Sequence, residues 1–325
     1  MSIGLGDLLD DLARDRTPER GLFTTTINLV TYCHEAQACE VVSQHAREIG
    51  EKHSCRVIFL NASRGSDLRQ IARGKNENIE IGVEDMDAET IRSVARALCV
   101  PNVRTSLFWS GHKTFFDERF TALARDAQSV IVDSSRLEMG AEPLRELAQV
   151  ARGSGDLQLR DLSYMRLLPW QDMVAQFFDD PTLAADLSSI ESVDVCAGSD
   201  AESYYVLGWL ASRLGWQPLG EDTFANPSGA RVRTTHERQG KARRIRRIAL
   251  QTKDSHYCAE LTDDLDLACL SVEGKAKRQP RCSPLHDVTS DILIERAMFL
   301  AGNDPIFYDS LAMAASVLDW HQPQQ

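Results

Sequence analysis

No run of this sequence approaches the roughly 20 apolar residues that a membrane-spanning helix needs; the best, Tyr204 to Ala211, stops far short. The first residues, Met-Ser-Ile-Gly-Leu-Gly-Asp-Leu-Leu-Asp-Asp, carry acids where a secretory leader has a basic start and an apolar stretch, so a cytoplasmic protein is expected. Positive charge is the scarcer sign. With 36 Lys and Arg against 48 Asp and Glu, the net charge is −12, which argues against nucleic acid or anionic lipid as a partner of the whole surface. None of the eight cysteines is separated from another by only two residues, which removes support for zinc knuckles and thioredoxin-type dithiols. Free thiols acting as small apolar residues are expected, with a redox-active pair the less favoured alternative. Cys99 illustrates this use, following Ile91, Val94, Ala95 and Leu98 on one helical face. Phosphate loops of the Walker type, a nucleophile-elbow serine and an HExxH helix are also missing. His34-Glu35 opens like the last of these, but position 38 is Ala.

What is present is an ordinary globular composition, 43% apolar and 26% charged, at a length of 325 residues that suits roughly two domains. Residues 1–20 read as a short amphipathic segment, with Leu5, Leu8, Leu9 and Leu12 at helical spacing. From Phe23 strands and helices alternate. Strands are expected at 23–32, 55–60, 103–109 and 129–132, with a weak alternation over 78–83, and helices at 34–49, 87–99, 115–125 and 141–152. This alternation implies parallel strands joined by helical crossovers, so 21–156 reads as a Rossmann-like α/β domain. Gly153-Ser154-Gly155 is the best linker in the chain.

Beyond it, 157–325 reads as a smaller α+β domain. A helix is expected to begin at Pro169, a strand at 190–196, and a capped helix after Ser199-Asp200-Ala201-Glu202. Short runs over 230–273 suggest antiparallel hairpins, and two helices, 288–301 and 305–319, close the chain.

In open parallel sheets ligands bind beyond the carboxyl ends of the strands. Those ends offer His34, then Asn61, Ser63 and Arg64, then His112, then Asp133 and Ser134. Polar residues are expected in such loops anyway, so this set reads at most as a vestigial or regulatory pocket. The first strand runs into Tyr32-Cys33-His34-Glu35 without the glycines that cradle a dinucleotide. Neither a cofactor nor a metal is expected. The basic stretch Arg238 to Arg247, with Arg243, Arg244, Arg246 and Arg247, reads first as a solvated hairpin turning at Gly240, and second as a docking element for an acidic partner.

Four blocks resemble one family, the OpcA-type glucose-6-phosphate dehydrogenase assembly proteins. Thr26-Ile27-Asn28-Leu29-Val30 resembles the family's opening strand, and Leu107-Phe108-Trp109-Ser110-Gly111, followed by Ile131-Val132-Asp133-Ser134, its Trp-Trp-Pro-Gly strand end. More specific are Asp161 to Trp170 and the helix Gly208-Trp209-Leu210-Ala211-Ser212-Arg213-Leu214-Gly215-Trp216. Phe108, Ser110 and Leu168 depart from the pattern, the last where the family has a capping Thr, as in a divergent member. The resemblance implies a non-catalytic protein that binds glucose-6-phosphate dehydrogenase, promotes its active oligomer and acts as an allosteric activator in the pentose phosphate pathway. The alternatives from other classes are a sugar-phosphate- or nucleotide-binding enzyme or sensor using the strand ends, and a scaffold using the arginines. Trp109 and Trp170 are expected to face outward as partner contacts together with Arg166, which would sit beside uncapped N–H groups at the start of the Pro169 helix. Trp209 is expected in the core.

Overall fold

The computed structural model describes residues 25–65, 68–72 (backbone), 78–110, 116–136, 142–153, 155–220, 222–239, 244–262, 267–275, 277–285 and 288–319. The expected amphipathic segment 1–20, His112, Gly240 and Arg243 lie outside the described residues. In chain order the first elements are β1 (Ile27–Cys33), α1 (Ala36–Lys52), β2 (Cys55–Asn61), β3 (Leu68–Ala72), β4 (Asn78–Gly82), α2 (Ala88–Leu98), β5 (Arg104–Ser110), α3 (Glu118–Ala124) and β6 (Ser129–Val132). Next come α4 (Glu142–Gly153), β7 (Gln158–Asp161), α5 (Leu162–Gln176), α6 (Pro181–Ala184), β8 (Ile190–Ala197), α7 (Asp200–Leu214), β9 (Gln217–Gly220) and β10 (Thr223–Ala225). The chain then forms β11 (Arg231–Arg238), β12 (Ile245–Thr252), β13 (Ser255–Leu261), β14 (Leu267–Gly274), β15 (Arg278–Pro284), α8 (Ser290–Phe299) and α9 (Pro305–Asp319).

Two units emerge. The first comprises residues up to Asp133, Gly155–Arg160 and Thr289–Gly302; the second comprises Ser134–Ser154, Asp161–Val288 and the chain from Asn303. The first unit is built on a sheet of order β3-β4-β2-β1-β5-β6-β7. Pairing is parallel from β4 through β2, β1 and β5 to β6, as the alternation of strands and helices requires. β3, which no sequence pattern announced, runs antiparallel on the β4 edge. β1 and β2 are buried along their whole length, which explains their near-continuous apolar sequences. Of their buried polar residues, Asn28 ties the start of β1 to the loop before β5: its Nδ2 donates to Val100 O (3.1 Å) and its Oδ1 accepts from Val100 N (2.9 Å). Asp87 caps α2 by accepting from Thr90 N at 2.8 Å. α8 joins this unit late in the sequence, where Lys52 and His53 at the end of α1 pair with Asp291 and Glu295.

The second unit carries a mixed sheet of order β15-β14-β13-β12-β8-β11-β10-β9. Only β8 and β11 pair in parallel; the other recorded pairs are antiparallel. Val193, Val195, Ile248, Leu250, Tyr257 and Ala259 share one face through the registers of β8, β12 and β13, and all are buried. α7 is capped at Ser199, whose Oγ accepts from Glu202 N and donates to Glu202 Oε2 (3.0 Å), and it ends at Gly215 in the left-handed conformation. α9 crosses α7 at Gly208, where an added Cβ would lie 2.3 Å from Ser310 O. The closing helices belong to different units.

Three expectations are corrected here. The arginine-rich stretch is not a two-strand hairpin, because β8 lies between β11 and β12. Both residues that flank this connection meet the end of β8: Gln239 N donates to Ala197 O (3.0 Å) and Gly198 N to Arg244 O (2.8 Å). A parallel partner for β8 cannot be read from local turn chemistry. Not all cysteines are free: Cys269 and Cys282 are disulfide-bonded across the β14–β15 register, a pairing that spacing cannot identify. Finally, the helix expected to begin at Pro169 begins at Leu162 and runs through the proline. Its N-cap is Asp161, whose carboxylate accepts from Ser163 N at 2.9 Å, so Arg166 lies beyond the first turn and not ahead of the helix start.

Candidate functional site

The strand order places the reversal of the first sheet between β1 and β5, where α/β sheets open a ligand crevice at their carboxyl ends. Side chains fill it. Tyr32 and Trp109, paired in register on β1 and β5, stack at 4.2 Å and 9°, and Phe120 of α3 meets Trp109 edge-on at 5.4 Å. Arg119 donates to Tyr32 Oη (3.0 Å) and to the carbonyls of Glu84 and Met86 (3.2 Å each). Burial, the largest cause, raises the Tyr32 phenol above its usual range and keeps it neutral. Trp109, 1% exposed, therefore does not face outward: its position at a strand end is covered by the helix that follows.

Beside this plug the strand ends bring three of the expected residues together. Asn61 donates to Glu80 Oε1 (3.0 Å), and its Oδ1 accepts from Ser63 N (3.0 Å) and Oγ (2.7 Å). Arg64 approaches the same Glu80 oxygen at 3.6 Å. His34 stays exposed at the turn before α1 and is not recorded in this cluster. Cys33 and Cys39, both buried, lie beneath the turn; proximity to Cys33 first and burial second push the Cys39 thiol well above its usual range. Among the described residues no group of three His, Cys, Asp or Glu side chains could hold a metal. The cluster orders a loop, and it does not combine an acid, a base and a nucleophile.

Asp133 ends the first unit, 3% exposed, and Ser134 opens the second, 1% exposed. In the second unit the resemblance blocks meet in one buried polar network. Asp161 Oδ1 accepts from Ser134 N (3.1 Å) as well as Ser163 N, while Tyr205 of α7 donates to Oδ2 at 2.8 Å. Ser135 N donates to Ser163 Oγ (2.9 Å). Arg166 donates to Ser135 Oγ (3.1 Å) and lies 3.7 Å from Glu202 Oε1, with 10% of its side chain exposed. An internal acid that it meets is Glu202. Burial, then the Asp161 charge, raises the Tyr205 phenol well above its usual range. Trp170, 3% exposed, lies inside α5 and not in an open first turn, so its outward placement is also corrected. Trp209 is half-buried on α7, and Trp216 is buried. Arg244, Arg246 and Arg247 are half-buried on or just before β12. Sequence reasoning missed Tyr205, Glu80 and Arg119, because no local pattern says which distant strand or helix each will meet.

The fold and the filled strand ends define a two-unit α/β protein of the layered parallel-sheet kind, with no glycine turn to admit a nucleotide phosphate at β1. Residues 46–152 match the family described as glucose-6-phosphate dehydrogenase subunit N-terminal domain, and residues 157–311 match its C-terminal domain. The chain belongs to this OpcA family. It is 26% identical over 263 residues to the OxPP cycle protein OpcA of Synechocystis sp., covering 72% of this chain and 54% of the relative. It is 32% identical over 191 residues to OpcA of Nostoc punctiforme, covering 54% and 41%. The chain thus spans about half the length of the curated relatives it matches. Among solved structures it is similar to levoglucosan dehydrogenase in complex with NADH and L-sorbose (TM-score 0.49, 10% identity, 91% and 96% covered). A 3-ketoreductase from Actinomadura kijaniata gives a TM-score of 0.47 at 12% identity, with 92% of each chain covered.

Proposed function

We propose that this protein is a non-catalytic assembly factor and allosteric activator of glucose-6-phosphate dehydrogenase, acting in the cytoplasm on the pentose phosphate pathway. The observation that carries the reading is the paired family match over both halves of the chain. The aromatic plug at the sheet's switch point supports it from the chemical side, because the crevice a sheet of this kind offers to a substrate is occupied by Tyr32 and Trp109. A partner acting through differential binding to the enzyme's active form needs a coupling of only about 1–3 kcal/mol to change substrate affinity roughly 5–150-fold. The contact residues assigned to this reading are the arginines Arg243, Arg244, Arg246 and Arg247; Arg243 lies outside the described residues. Among the described residues, no helix is long and apolar enough to cross a membrane.

The test is to assay the dehydrogenase of the same cell with and without this protein, beside co-purification and sizing of the complex. The expected result is association, a shift to the larger oligomer and raised activity. Association with unchanged kinetics and oligomeric state would make the protein a scaffold and overturn activation. Failure to associate would overturn the whole reading.

A further inference from the structure

The helices of the second unit meet its mixed sheet on the apolar face. Tyr204 of α7 contacts His236 of β11, and Phe177, the C-cap of α5, contacts Tyr257 of β13. The registers of β11, β8, β12, β13 and β14 align the opposite face in rows. One row reads Thr235, Asp194, Ala249, Cys258 and Ser271; the next reads Glu237, Cys196, Arg247, Glu260 and Cys269. Thr235, Glu237 and Glu260 are exposed and Arg247 is half-buried, so this face is open. The Cys196 thiol, raised first by burial, also feels the charges of Glu237, Arg247 and Glu260, as neighbours on one face must.

Arg247 and Glu260 are register partners, yet neither forms an ion pair among the described residues, and Arg247 Nε has no acceptor. Between the charges, Ala249, Cys258 and Ser271 are small enough for a second sheet to stack at about 10 Å. The six adjacent strands from β15 to β11 are each seven or eight residues long. They present a face of about 29 Å by about 26 Å, roughly 750 Å², close to the ~800 Å² that a standard interface takes from each partner. Both signs of charge on one face suit an isologous contact, in which the same patch meets itself. A two-fold axis along β12 would set Arg247 over Arg247, and one between β12 and β8 would set Glu237 over Glu260. An axis along the strands between β12 and β13 instead sets Arg247 over Glu260 twice, Ala249 over Cys258 and Asp194 over Ser271. No like charges then overlap on β8, β12, β13 and β14. We propose that this open sheet face binds a second copy of the chain, related by that axis and matched through Arg247 and Glu260. The contact shares Arg247 with the dehydrogenase reading but is tested on this chain alone, so either can fail without the other.

Sedimentation velocity of the intact chain over about 1–100 µM tests it. A species of twice the mass of one chain is expected to grow in across this range. Arg247→Glu and Glu260→Arg should each weaken the dimer at least about tenfold, because like charges then face each other. Mixed in equal amounts, the two variants should pair with one another, since two acids of one chain then face two arginines of the other. Glu260 is exposed, so Glu260→Arg should keep the urea midpoint of the unmodified chain, and it decides the face even if Arg247→Glu folds poorly. A monomer at every concentration, or a dimer that Glu260→Arg does not weaken, would overturn the proposal. Weakened single variants that fail to pair on mixing, both being folded, would overturn the axis between β12 and β13.

Discussion

Asp161 shows what a single buried residue can organise. Its carboxylate caps α5, receives the backbone of the Ser134 turn and accepts the Tyr205 hydroxyl, all at full burial. Tyr205→Phe removes a donor and leaves a charged acceptor under-satisfied, so a loss of about 1–3 kcal/mol is expected from urea unfolding. An unchanged midpoint would show that the network does not need this bond. Arg166 obeys similar arithmetic, because Glu202 beside it is 0% exposed. Arg166→Ala is expected to lower stability by up to about 3 kcal/mol while the folded fraction keeps the proposed effect on the dehydrogenase. Lost activation at an unchanged melting temperature would instead make Arg166 a partner contact.

At the scale of elements, the helix carrying Gly208 was recognisable as sequence, but the reason for its glycine is the α7–α9 crossing. A methyl at Gly208 would meet Ser310 O at 2.3 Å and Ala314 N at 3.0 Å, both backbone atoms that cannot rotate away. Gly208→Ala is therefore expected to cost about 1–3 kcal/mol by overpacking, read from thermal or urea unfolding, although alanine is the better helix former. A neutral or stabilising effect would mean that the helices can separate without loss. The sheet edge at β15 shows a different economy of means: Pro280 and Pro284 lack the N–H groups that an added strand would need, and Cys282 ties the strand to Cys269.

For the whole molecule, burial acts on acids that must stay neutral. The thiols of Cys55, Cys99 and Cys258 are each pushed up to about 11, chiefly by burial, and the phenols of Tyr164 and Tyr257 to about 12 by the same cause. Each folded value lies above the unfolded one, so the folded chain holds more protons in the alkaline range and its stability falls as pH rises. The stabilising contribution is complete below about pH 9, where unfolded thiols begin to ionise, and declines through about 11 and then 12. Urea midpoints taken from neutral pH upward should drop across this window; a flat profile would contradict the burial of these groups.

Local pattern is enough for β1, β2, β5 and β6 and for the helices between them, because a strand buried on both faces must be largely apolar and a crossover helix must be amphipathic. The caps at Asp87 and Ser199 were equally legible, since their partners lie three residues away. The Asp161–Trp170 and Gly208–Trp216 blocks carried the family resemblance on residue identity alone. What tertiary structure decided were the contacts between distant segments. The sequence neighbours of Trp109 and Trp170 leave both open, yet α3 covers Trp109, and Trp170 lies buried within a helix that starts earlier than its proline suggests. β8 inserted between β11 and β12, α8 entering the first unit and Arg104 meeting Gln158 and Leu300 all depend on chain segments far apart in sequence, and the Cys269–Cys282 bond depends on the β14–β15 register. Hydrophobic burial selects which of many compatible pairings forms, and that free energy is a property of the packed whole and not of any window of the sequence.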